Sequence, residues 1–196
     1  MEVKRILTKK EQEKKTQRNQ ILIGIILIGL MVLSTAGYAL TSGEKSGSRG
    51  NIEKIEYKGI IFIKNSDYWQ FEKDGTAFTT RFNAQETEGL KILSYLKLNN
   101  YADKALYFVG DNNEAISELA GNLNDKALRI QKACLSEKDC KENFPVKSCD
   151  ENIIIIKEPQ NESDSIYRTN NCVFVVANNT EQVKYSDALL FKILGI

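Results

Sequence analysis

The side chains best suited to chemistry are four cysteines, Cys134, Cys140, Cys149 and Cys172, all in the last third of a 196-residue chain. The gaps between them are five, eight and twenty-two residues, which lack the paired C-x₂-C knuckles of a tetrathiolate metal site. An even number at such spacings reads as two disulfides in an oxidising compartment. No C-x-x-C occurs, so nothing points to thiol–disulfide exchange. The chain has no histidine. That removes Ser-His-Asp and Cys-His hydrolysis, His-ligated zinc and His-ligated haem, and leaves carboxylates, Lys, Tyr or an unassisted thiol as candidate groups.

Among the carboxylates Asp111 stands out. It follows the apolar run Lys104–Val109 (KALYFV) and precedes a helical pattern, so it lies where α/β proteins bind ligands. The same position suits a helix N-cap accepting a bond from an early N–H, and the cap is the expectation here. No D-x-D, P-loop or G-x-G-x-x-G accompanies it, so no metal, phosphate or cofactor site is expected.

The elements that position these groups begin with Ile21–Leu40, twenty residues without a charge, which as a helix span about 30 Å, one bilayer core. Seven basic residues against three acidic ones precede it, which holds residues 1–20 in the cytoplasm and sends the remainder out. Gly37-Tyr38-Ala39 resembles a signal-peptidase site, but the long basic region and the length of the apolar run favour an uncleaved anchor. Residues 41–51 (TSGEKSGSRGN) form a flexible linker. Without the seven basic and three acidic residues of the first 40, the chain carries 20 Lys/Arg against 23 Asp/Glu, a net charge of −3. An acidic exterior domain lacks the basic stripe that nucleic acid requires, so no nucleic-acid partner is expected.

Residues 52–196 are expected to form one α+β domain with the order βββ-α-β-α-βββ-α around a mixed sheet. Lys58–Lys64 reads as a central strand buried on both faces. Tyr68–Glu72 and Thr76–Phe82 flank the hairpin signal Asp74-Gly75, with Trp69 packed inward. Asn83 and Glu86 have capping-box spacing, predicting a helix of about fourteen residues with Leu90, Leu93 and Leu96 inward. A second helix is expected near Asn113–Leu135, bent or split at Gly121-Asn122. Ser136–Asn152 is a cysteine-bearing loop. Ile153–Lys157, Ser165–Thr169 and Cys172–Ala177 read as a meander, so its first and third strands run the same way and bring Cys149 and Cys172 to one end. The expected pairs are therefore Cys149–Cys172 and Cys134–Cys140. Asn161 and Asn178 open N-glycosylation sequons in loops beside these strands. The C-terminal Ser186–Ile196 is apolar all round, with Lys192 its internal charge, and is expected in the core.

Lys58-Gly59 opening a strand, Asn171-Cys172 before a Val-rich strand, and the ending Ser186-Asp187…Leu194-Gly195-Ile196 give the chain a resemblance. It resembles uncharacterised archaeal-type single-pass membrane proteins with a Cys-containing exported domain. That resemblance implies a tethered exterior domain and no particular activity.

The function these features point to is a membrane-tethered extracytoplasmic binding or structural module, its partners the membrane and another envelope or membrane protein. The alternatives are a histidine-free, carboxylate-dependent hydrolase of the cell envelope, or an accessory subunit of a membrane complex. Paired carboxylates in one cleft would favour the enzyme, and a flat apolar patch the binding module.

Overall fold

The computed structural model describes Ile23, residues 53–140 and residues 143–196. The basic tail, the linker and the apolar stretch 21–40, Ile23 apart, lie outside the described residues. Among the described residues no helix is long and apolar enough to cross a membrane.

Alternation of apolar and polar residues builds an antiparallel meander of four strands: β1 (Lys54–Tyr57), β2 (Ile60–Asn65), β3 (Tyr68–Lys73) and β4 (Thr76–Thr80). Asp74 and Gly75 join β3 to β4 at φ 51° and 74°, the paired positive values of a type I′ hairpin. Its inner face holds Phe62, Trp69, Phe71 and Phe78, all buried. β2 is an interior strand, but Ile61 and Ile63 are 43% and 42% exposed, so the expectation of burial on both faces is corrected. Nothing covers the outer face of the meander among the described residues.

The remaining strands form a six-stranded mixed sheet in the order β5-β9-β10-β8-β6-β7. They are β5 (Ile92–Leu93), β6 (Ala105–Val109), β7 (Arg129–Lys132), β8 (Ile153–Lys157), β9 (Ser165–Thr169) and β10 (Cys172–Val176). Two α-helices, α1 (Asn113–Leu123) and α2 (Gln182–Leu194), complete the domain. The fold is thus α+β, with one antiparallel and one mixed sheet.

The four consecutive isoleucines explain the layering. In β8, Ile154 and Ile156 enter the main core with Leu119, Leu189 and Leu190 of the helices. Ile153 and Ile155 point the other way, into a smaller core with Tyr107 and Cys172. On the helices' other side, Phe191 of α2 joins Phe62, Phe71 and Phe78 of the meander. α2 is therefore buried against both sheets, which its all-round apolar sequence requires.

Four expectations about elements are corrected. Asn83 and Glu86 do make the reciprocal capping bonds, Asn83 N–H to Glu86 Oε2 at 2.7 Å and Glu86 N–H to Asn83 Oδ1 at 2.9 Å. Yet only turns follow, and Ile92–Leu93 pairs with β9 instead. A cap supplies about 1 kcal/mol, which does not outweigh tertiary strand pairing. α1 ends at Leu123, and Arg129–Lys132, expected in the same helix, pairs parallel with β6. β1, β5 and β7 are strands beyond those expected. Finally, β8, β9 and β10 are not a meander: β10 lies between the other two, parallel to β8 and antiparallel to β9.

Candidate functional site

The carboxyl ends of the parallel strands come first. Gly110 leaves β6 at φ 150°, and a Cβ there would lie 2.5 Å from the carbonyl oxygen of Ile156, so only glycine permits this approach. The next turn starts α1. Asn112, not Asp111, is the N-cap, its Oδ1 accepting from Ala115 N–H at 3.1 Å. This corrects the assignment of the cap to Asp111, because the helix starts one residue later. Asp111 is exposed and borders a cavity of about 510 Å³ with Lys132, Lys138, Cys134 and Phe144.

The structure joins Cys134 to Cys140, with Cα atoms 5.4 Å apart, and Cys149 to Cys172 at 5.0 Å. The second bridge forms because β8 and β10 are direct parallel neighbours, Ile153 opposite Cys172. In a true meander an intervening strand would have held these ends about 10 Å apart. Asn161 and Asn178 are exposed in the loops after β8 and β10. These residues stay apart from Asp111's cavity except for Cys134. Among the described residues no group of three or more His, Cys, Asp or Glu could hold a metal ion.

A second place escaped the sequence reading. Asp187, in the middle of α2, has no exposed surface. Its Oδ2 accepts from Phe82 N–H at 2.8 Å, just past β4. Burial pushes its carboxyl well above the usual range, and the carboxylate of Glu118 on α1 adds to this. Burial also raises Glu118, against the backbone N–H of Arg81 and a hydrogen bond from Asp187. One carboxyl oxygen of each, Asp187 Oδ1 and Glu118 Oε1, is buried and makes no hydrogen bond to a protein donor. A proton held on Asp187, the direction in which its burial and the neighbouring Glu118 both act, would let it donate to Glu118. Arg81 completes the group, its guanidinium paired with Glu114 and stacked 4.9 Å over the Tyr68 ring.

These contacts belong to a polar seam holding the meander to the helices. The Asn122 amide takes the place of a neighbouring strand, accepting from Thr79 N–H at 2.9 Å and donating to Thr79 O at 2.7 Å. Lys126 Nζ donates to Thr76 Oγ1 at 2.9 Å. The seam covers the β4 edge, which would otherwise present unpaired backbone groups. The carboxyl pair itself is inaccessible for hydrolysis, because Asp187 has no exposed surface and no substrate reaches it. The available sequence signal was Asp187 itself, a lone carboxylate among apolar neighbours; beginning the helix at Ser186 placed it at an end rather than in the middle.

The third place is the open face of the meander. Strand register sets two rows across it. Lys54 lies opposite Ile63, Ile63 opposite Gln70, and Gln70 opposite Thr79. Two residues along each strand, Glu56 lies opposite Ile61, and Glu72 opposite Ala77. All eight are exposed, and a shallow depression of about 560 Å³ runs beside Ile61 and Ile63. β1 is an edge strand.

By fold and site, this is a disulfide-bridged α+β domain with an uncovered apolar stripe on one sheet. No family model, curated protein or solved structure matches the chain.

Proposed function

We propose that the chain is a membrane-tethered extracytoplasmic binding module that uses the outer face of the β1–β4 meander to hold a protein partner in the envelope. The observation carrying this reading is the pair Ile61 and Ile63, successive residues on one face of an interior strand and each more than 40% exposed. In a half-buried meander those positions are ordinarily polar, and two β-branched residues there lose free energy to water that a partner would recover. The two disulfides support an oxidising compartment outside the cytoplasm. The apolar stretch 21–40 and its basic flank support an anchor with the domain outside. The resemblance to archaeal-type single-pass membrane proteins belongs to the same proposal. The hydrolase reading receives less support, because the carboxyl pair Asp187 and Glu118 lies in the seam with Asp187 fully buried.

Photo-crosslinking in native membranes tests the reading. A photoreactive phenylalanine analogue at position 61 or 63 of the full chain is expected to give a discrete protein adduct. The same probe at Leu128, 73% exposed away from the meander, is expected to give none. Equal labelling at all three positions, or none at 61 and 63, refutes the assignment of the surface.

A further inference from the structure

The open face of the meander has a property that its apolar content alone does not require: it is complementary to itself. One row carries Lys54, Ile63 and Gln70, and the next carries Glu56, Ile61 and Glu72. Two copies can meet face to face about either of two in-plane two-fold axes, and the contacts differ sharply. An axis along the strands keeps each row over itself and reverses the strand order, so Ile63 meets the amide of Gln70 and Ile61 meets the carboxylate of Glu72. An axis across the strands keeps the strand order and exchanges the rows. Lys54 then faces Glu56 of the second copy, Ile63 faces its Ile61, and Gln70 faces its Glu72. Each contact occurs twice, as an isologous interface requires.

We infer that the occupant of this face is a second copy of the same chain, docked about the axis that runs across the strands from β1 to β4. The inference rests on the proposed binding role and names its partner. The sheets stack with nearly aligned strands, the ordinary geometry of packed sheets about 10 Å apart.

The contact is small. Two rows across four strands cover roughly 300 Å² per copy at ordinary strand spacings, well under the roughly 800 Å² per partner of a stable soluble complex. Association therefore depends on the tether, which confines both copies to one surface and raises their effective concentration. The free domain is monomeric at micromolar concentration, and the anchored chain pairs.

The test uses the full chain in its membrane with the photoreactive residue at position 61. The expected adduct has twice the 22.2 kDa mass of the chain and maps to β2 of the second copy. Lys54→Glu places two carboxylates face to face and is expected to lower the dimer yield about tenfold. Glu56→Lys does the same with two ammonium groups. The double variant, with both charges exchanged, is expected to return the yield to within about twofold of the original. All three are surface changes, and unchanged melting temperatures show that the variants fold. An adduct with a different protein overturns the second-copy assignment and leaves the binding surface standing; absence of any adduct removes both. A dimer indifferent to the single charge reversals overturns the docking axis.

Discussion

The protonated pair of Asp187 and Glu118 makes the domain sensitive to pH in an unusual direction. Folded, the pair retains a proton that the unfolded chain gives up near pH 4, the ordinary carboxylate range. The folded state therefore binds more protons. Stability contributed by the pair is fully present below about pH 4 and declines as pH rises toward its elevated folded value. While one excess proton is held, the slope is about 1.4 kcal/mol per pH unit. For a domain of this size, that corresponds to roughly 3–5 °C of melting temperature per unit. Asp187→Asn separates this effect from other titrations. Its amide oxygen can still accept from Phe82 N–H and its nitrogen can donate to Glu118, so it imitates the protonated acid at every pH. The groups nearest the pair, Arg81 and Glu114, remain in place. Thermal unfolding followed by circular dichroism from pH 4.5 to 7.5 is expected to show a falling melting temperature for the native chain. The Asp187→Asn curve is expected to be flatter, crossing above it near neutrality. Parallel curves for the two proteins would refute the shared-proton account. Asp187→Ala orphans the part-buried Phe82 N–H instead, and is expected to cost about 1–3 kcal/mol throughout.

Replacing Cys149 and Cys172 together by Ser should cost about 3 kcal/mol on the chain-entropy model, because that bridge spans 23 residues. The Cys134/Cys140 pair, spanning 6, should cost about 2 kcal/mol, and denaturant melts that reverse this order would contradict the model. Protease added outside intact cells is expected to degrade the chain beyond Thr41 and leave a small membrane-bound fragment; full protection of the domain would refute the proposed topology.

Local chemistry was legible where it needed only neighbouring residues. The Asp74-Gly75 hairpin and the outward and inward alternation of β3 and β4 follow from residue type and period. The disulfide pairs agree with the structure although the meander behind them does not. That argument needed only the shared direction of β8 and β10, and direction does not reveal which strand lies between. The capping box at Asn83 shows the opposite case, a local motif formed without the helix it usually starts, because residues 92–93 found a strand partner more than seventy residues away.

The candidate sites divide along the same line. Sequence by itself determined the absence of histidine chemistry, the cysteine count, the charge of residues 41–196 and the apolar stretch expected to anchor the chain. Each is a property of composition or of one continuous segment. Tertiary structure alone decided that Asp187 meets Glu118, 69 residues earlier, and that both serve the seam beneath Phe82. It also decided that Ile61 and Ile63 face water. An alternating strand has two chemically similar apolar faces here, and only what packs against them selects the inside: Phe191 of α2 took the side of Phe62 and left the isoleucines uncovered.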